Sequence, residues 1–236
     1  TTRLVGSEMC IRDRKEDITE NGIKYIKQDG SVGYYQTVNK TTPVAGDVKY
    51  VDRNGDGVVD DNDRDIIGNP NPDFTYGFQT KVSWKSLSLS ASFNGVQGRD
   101  ILNVGNRYNN TPGTKSNNVT RKAFQNMWTD ENPSNLYPKS TFVVQNMVMD
   151  RYVEDGSYLR CSDITLSYVL PAKWTNKIGI KNTSVYASVK NAFVITDYSG
   201  YDPEVNSFAF DGLRPGVDMN SYPTPRSFVF GLNLTF

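Results

Sequence analysis

Histidine is absent from the 236-residue chain. That removes the side chain most used as a general base near neutral pH and the commonest ligand for transition metals. Cysteine is almost as scarce. Cys10 and Cys161 could form one disulfide at most, and neither lies in a CxxC or Cys/His arrangement. No GxSxG, HExxH or phosphate-cradling glycine loop occurs. Enzymatic chemistry has little to rest on, and the chain reads as a non-enzyme. Net charge is missing too: Lys+Arg and Asp+Glu stand at 26 each, so no bulk field recruits nucleic acid or an anionic membrane surface. No apolar run approaches the ~18 residues of a membrane-spanning helix. A transmembrane barrel stays open, because its strands cross by alternation and hide in a hydropathy average.

What the chain does have is aromatic residues, 14 Tyr and 11 Phe, at a mean hydropathy of −0.55. Residues 1–14 are set apart first. The stretch LVGSEMCIRDR, Leu4 to Arg14, fits nothing downstream and resembles the in-frame translation of a sequencing-library adapter. It is read as non-native, Cys10 with it, and left out of fold reasoning. Residues 15–236 are read as the protein, with further chain expected upstream.

The strongest pattern is alternation of period two. Phe74, Tyr76, Phe78, Thr80, Val82 and Trp84 share one face. After a tight turn at Lys85, Leu87, Leu89, Ala91 and Phe93 alternate with serines. Ile164, Leu166, Tyr168 and Leu170 repeat the pattern, as do Val185, Ala187 and Val189, and finally Phe228, Phe230, Leu232, Leu234 and Phe236. None of these apolar-face positions carries a charge. A soluble sandwich also alternates, but three features favour a wall in lipid. The strands reach the ~9–11 residues that cross a bilayer at a tilt. Aromatics (Phe74, Trp84, Phe93, Phe228, Phe236) gather at strand ends, and the opposite faces are Ser, Thr, Gln, Asn and Lys.

Connection lengths give an independent check. The turns at Lys85 and from Pro171 to Asn182 are short. Those leading to Asp73, from Asn94 to Ser157 and from Thr196 to Arg226 are long. Short and long alternate, as periplasmic turns and extracellular loops do. Five strands, or six with Ile23 to Tyr35, cannot close a barrel that needs about eight, and an open edge in lipid would leave backbone groups unpaired. The fold expected is therefore all-β: an antiparallel transmembrane β-barrel segment with long extracellular loops, part of something larger.

One loop carries a metal-binding spacing. In DRNGDGVVDDND, Asp52, Asn54 and Asp56 offer side-chain oxygens at positions 1, 3 and 5, and Gly57 allows the sharp turn. Val58 offers its carbonyl, and Asp60 and Asp63 fall at positions 9 and 12. Such oxygen spacing suits Ca2+. The flanks GDVKYV and IIGNPNPDF are not amphipathic helices, so a structural ion is expected over a sensor. The alternative is a solvated turn rich in Gly, Asn and Asp. Asp60 and Asp61 read as ligands or solvated charges, since nothing sets them across a cleft as a glycosidase pair. Tyr108, Trp128, Tyr137, Tyr198 and Tyr201 lie in the long loops, where packing is preferred over stacking on sugar rings. Lys81, Lys190 and Asp163 would face the lumen, either against a ligand or plug or as plain polar filling.

Several long motifs resemble the SusC/RagA-type TonB-linked outer-membrane proteins. They are GDVKYVDRNGDGVVDDNDRDIIGNPNPDFTYGF, LSLSASFNGVQGRDILN, YVEDGSYLRCSDITLSYVLP, VYASVKNAFVITDYSGYDPEV and YPTPRSFVFGLNLTF, in that order from about Gly46 to Phe236. The resemblance implies the last five or six strands of a barrel of about 22, whose lumen is plugged. It implies the outer membrane of Bacteroidota, import of oligosaccharides or peptides, a SusD-like surface lipoprotein partner and energy from the TonB complex. The plug and the TonB-contacting segment are absent from these residues. A secreted, calcium-stapled β-sandwich that binds carbohydrate or mediates adhesion is the alternative reading.

Overall fold

The computed structural model describes residues 4–6, 9–11, 18–19, 22–26, 30–35, 45–110, 118–134, 136–140, 148–175, 180 and 182–235. It falls into two compact units. One holds Thr1–Pro70, Ile101–Glu154 and Asn206–Asn220; the other holds Asn71–Asp100, Asp155–Val205 and Ser221–Phe236.

The second unit is a five-stranded antiparallel sheet. Its strands are β1 (Phe74–Trp84), β2 (Leu87–Gln97), β3 (Tyr158–Val169), β4 (Asn182–Thr196) and β5 (Ser227–Thr235). Each pairs with the next in sequence, giving a simple up-and-down order. Register decides what each face carries, because a slip of one residue would exchange the faces. Val82 stands opposite Leu89, Leu89 opposite Leu166, Leu166 opposite Ala187, and Ala187 opposite Phe230. The neighbouring row runs Lys81, Ser90, Thr165, Ser188. The apolar sets read from five separate strands therefore merge into one face across four seams, with Leu170 just past the end of β3 and Phe236 outside the described residues. That face is bare: Phe78 is 53% exposed, Val82 63% and Phe230 79%. Contiguous apolar surface of this kind needs an apolar partner, and strands of these lengths match a bilayer.

The turn between β1 and β2 is minimal. Lys85 takes a positive φ of 53°, and Ser83 and Ser88 Oγ atoms meet at 2.8 Å beneath it. Two glycines inside strands have an aromatic partner laid over them. A Cβ on Gly95 would meet Cζ of Tyr76 at 2.3 Å, and one on Gly231 would meet Cε1 of Tyr186 at 2.2 Å. Each pair is directly cross-strand, so the ring fills the space the glycine leaves.

Two expectations change. Phe93 does not end its strand; β2 runs on to Gln97, and the Phe93 ring stacks on Phe78 at 4.5 Å in mid-wall. Asn94-Gly95 reads as a turn signal, yet the Tyr76 ring over Gly95 lets pairing continue. The segment Ile23 to Tyr35 is not a sixth wall strand. It forms a hairpin of Gly22–Ile26 with Val32–Tyr35 in a separate sheet with Ile18–Thr19. Gly30 has φ 82°, and Asp29-Gly30 is a strong hairpin signal that divides the segment into strands too short to cross a bilayer.

The first unit has its own core. Leu4, Val48, Tyr50, Val59, Leu102, Met149 and Tyr152 are buried together, with Ile67, Val104, Val153 and Val217 against them. A small sheet orders Val153–Asp155, Asp100–Asn103 and Val217–Asp218, the last two parallel through Leu102 opposite Val217. Within residues 1–14, Leu4–Gly6 pairs with Asp65–Gly68 and Met9–Ile11 with Val48–Tyr50. Three-residue pairings ask little of a sequence, so they describe where this segment lies and leave its expected origin untested.

The face assignment makes a direct prediction. In the full-length protein, Ala91→Arg, near the middle of β2 on the apolar face, should destabilise the folded barrel by about 2–4 kcal/mol, and Ser90→Arg by far less. Denaturant titration in lipid vesicles measures both, and equal costs would contradict the assignment.

Candidate functional site

The acidic loop folds around its own carboxylates. Asp52 accepts the Gly55 amide at 2.7 Å and the Gly57 amide at 3.0 Å. Asn54 Oδ1 accepts the Asp56 amide at 2.9 Å, and Asp56 Oδ1 accepts that of Val58 at 2.8 Å. Asp60 accepts the Asn62 amide at 2.7 Å. Asp63 accepts from Arg53 at 2.8 Å, from Asn54 at 3.4 Å and from Asp60 at 2.8 Å. Asp52 and Asp63 are buried, and Gly55 and Gly57 sit at φ 75° and 85°, which only glycine adopts cheaply. Asp61 pairs with Arg64 at 2.7 Å and is solvated, as one of its two readings had it.

All six expected ligands thus lie on one loop. Among the described residues, no three His, Cys, Asp or Glu side chains are grouped as a metal centre would group them. The donor types still suit a hard cation, although Asp63 Oδ1 already accepts two amides. Asp56 is exposed and Asp60 partly so, which leaves both room to turn.

A second polar cluster lies within the sheet unit, and the alternation pattern did not locate it. Strand β3 carries a bulge: Cys161 stands opposite Phe93 and Asp163 opposite Ser92, with Ser162 extra. Ser162 Oγ donates to the Ser92 carbonyl at 3.1 Å. Strict alternation from Ile164 and Leu166 would put Arg160 on the apolar face. The extra residue reverses parity, so Arg160 stands opposite Asn94 on the polar face. There its guanidinium pairs with Asp202 at 2.5 Å, and its Nε lies 3.3 Å from Glu204. Glu204 accepts from the Tyr158 hydroxyl at 2.6 Å and from the Asn94 amide at 3.0 Å. Asp202 also accepts the Glu204 amide at 2.9 Å and the Thr224 amide at 3.2 Å. Arg160 and Asp202 are almost wholly buried.

Burial alone would raise the Asp202 pKa. The hydrogen bonds from Thr224 and Glu204 and the charge of Arg160 outweigh it and hold the carboxyl below the usual range. The cluster ties the Tyr201–Glu204 turn and the approach to β5 onto the ends of β2 and β3. The legible signal was an arginine three residues before an aspartate at the head of a strand whose parity then changes.

The remaining expected residues separate. Asp163 and Lys190 pair with each other at 2.6 Å, and Ser188 and Thr165 each donate to Asp163 at 2.8 Å. Lys81 is exposed on β1. Trp128, Tyr137 and Tyr198 are buried, as packing residues would be, whereas Tyr108 and Tyr201 are exposed. A Cβ on Gly46 would meet the Trp128 ring at 2.5 Å, so the indole packs directly on backbone.

A meander of bilayer-length strands with one continuous apolar face defines a segment of a transmembrane β-barrel. No family model matches the chain. It is similar to TonB-dependent receptor P26 of Formosa agariphila, 35% identical over 201 residues, covering 82% of this chain and 20% of that protein. It is 34% identical over 194 residues to TonB-dependent receptor SusC of Bacteroides thetaiotaomicron, covering 79% of this chain and 17% of that one. The chain spans about a fifth of the length of the curated relatives it matches. A structure of the RagAB peptide importer in the open-open state shares the fold at TM-score 0.68 and 24% identity, over 99% of this chain and 22% of that one. The chain belongs to the TonB-dependent receptors, with SusC among its relatives.

Removing one partner of the buried pair should be costly. Asp202→Ala leaves Arg160 with Glu204 as its remaining carboxylate, so the cost should approach but stay below the about 3–5 kcal/mol of a buried charge left unpaired. Hydrogen exchange should report it across 197–205 and 221–226. Because the Asp202 carboxyl is depressed, its contribution is complete above the unfolded pKa and fades as pH falls through the folded one. The protection of this turn should therefore weaken in acid, and pH-independent protection would contradict the pairing.

Proposed function

We propose that the chain forms part of the wall of an outer-membrane active transporter. It imports large nutrients, oligosaccharides or peptides, together with a SusD-like surface lipoprotein, and draws energy from the TonB complex. The observation that carries the reading is the single bare apolar face running through all five strands, in a chain related to TonB-dependent receptors. A secreted sandwich would bury that face beneath a second sheet, whereas Phe78, Val82 and Phe230 stand exposed. The wall contributes structure and loops, and no catalytic step is assigned to it.

Deletion of the full-length gene should abolish growth on one class of large nutrient, glycan or peptide, while growth on its monomers continues. Inactivating TonB should reproduce the defect. Unchanged uptake of both classes in the deletion strain would sink the reading.

We infer a structural role for calcium in the same protein. Ca2+ would be held by Asp52, Asn54, Asp56, Asp60, Asp63 and the Val58 carbonyl, and would stiffen a loop already shaped by carboxylate–amide bonds. The support is the oxygen spacing, with all six donors held on one loop. Sites of this kind in extracellular modules bind at about 10⁻⁴–10⁻³ M. Millimolar Ca2+ should then slow proteolysis of the loop by up to about tenfold through mass action. Asp52→Ala with Asp56→Ala should remove that protection and leave the barrel folded. Equal cleavage with calcium and with chelator would end the proposal.

A further inference from the structure

The two ends of the five-stranded sheet differ in charge. Where the long connections leave it stand Asp73, Asp100, Asp155, Asp197, Asp202 and Glu204, offset only in part by Arg99, Arg160 and Arg226. At the other end, the β1–β2 turn carries Lys85, and residues 170–182 contain lysines and no Asp or Glu. Coulombic complementarity gives these ends different preferences for a charged surface.

The lysine end also carries the aromatic residues of a membrane boundary. Trp84 closes β1 and is 68% exposed, with Lys85 Nζ 4.9 Å from its ring centroid. Val169 donates its amide to the Ser86 carbonyl at 2.8 Å, which brings the end of β3 beside that turn. Tyr168 stands opposite Leu87 on the apolar face. The chain then makes one helical turn, Ala172–Thr175, in which Lys173 is exposed and Trp174 is 66% exposed. Trp and Tyr favour the headgroup level because their rings have an apolar body and a polar tip. Lysine stems lie along apolar surface while the ammonium reaches phosphate. A purely hydrophobic rim would need none of the lysines.

We propose that this end of the wall is a binding surface for anionic phospholipid headgroups. Lys85 and Lys173 contact the phosphates, and Trp84, Tyr168 and Trp174 seat at the boundary between headgroups and acyl chains. The inference rests on the membrane-wall reading. It adds a lipid class and the residues that select it, and it makes the two membrane-facing rims of the protein chemically distinct.

The test uses the full-length receptor, extracted in mild detergent and equilibrated with equal amounts of phosphatidylglycerol and phosphatidylcholine. Native mass spectrometry then counts the retained lipids. Wild type should retain phosphatidylglycerol in preference to phosphatidylcholine. Lys85→Ser with Lys173→Ser should lower that preference about thirtyfold, from the attraction each basic residue adds near an anionic surface. Lys81→Ser, on the opposite face of the sheet, should leave it unchanged. Trp84→Ala with Trp174→Ala should reduce retention of both lipids. No preference in wild type, or equal effects of Lys81→Ser and the double lysine variant, overturns the proposal while the wall reading stands. A receptor that needs no detergent and retains neither lipid overturns both.

Discussion

In hydrocarbon, a backbone amide has nowhere to turn except to another strand. Everything else in the sheet unit follows from that constraint. Pairing each strand with its neighbour in sequence satisfies the backbone, and the pairing then fixes which side chains share a face. Leu89 faces outward because Val82 and Leu166 flank it in register, not because leucine alone demanded it. Short turns such as the one at Lys85 preserve that register at small cost in closure entropy.

The same constraint explains how a buried arginine is tolerated in the wall. A charge on the lipid face would be expensive at depth, and alternation counted from Ile164 would have placed Arg160 there. One extra residue at Ser162 turns it onto the polar side, where Asp202 and Glu204 neutralise it. The bulge is thus a routing device, spending one unpaired residue to keep a cation out of lipid. Its yield is a fixed point between strand ends and the turn that leads toward β5.

Much of this was legible in the sequence. Alternation is a local property, so the five strands, their faces and their meander order could be read from residues such as Phe74 to Trp84 without any partner. Strand ends were less legible, because Gly95 reads as a breaker until the Tyr76 ring covers it. Ile23 to Tyr35 misled for the opposite reason: its apolar content suggested a wall strand, while Asp29-Gly30 encoded a hairpin. Arg160 and Asp202 are 42 residues apart, and no local pattern announces a pair joined only when β3 and the turn after β4 meet. In the acidic loop, spacing told which oxygens are offered but not how they are employed, since amides and cations compete for the same lone pairs.

The loop unit draws its core from three stretches far apart in the chain. Val59 lies before the first wall strand, Leu102 and Tyr152 between the second and third, and Val217 just before the last. Contacts of such high sequence separation carry a large loop-closure cost and slow folding. Val217 and Asp218 pair in parallel with Leu102 and Asn103, so this small sheet closes over a separation that spans β3 and β4. The wall is thus built from neighbours in sequence, while the loop unit is held by stretches that the wall strands separate.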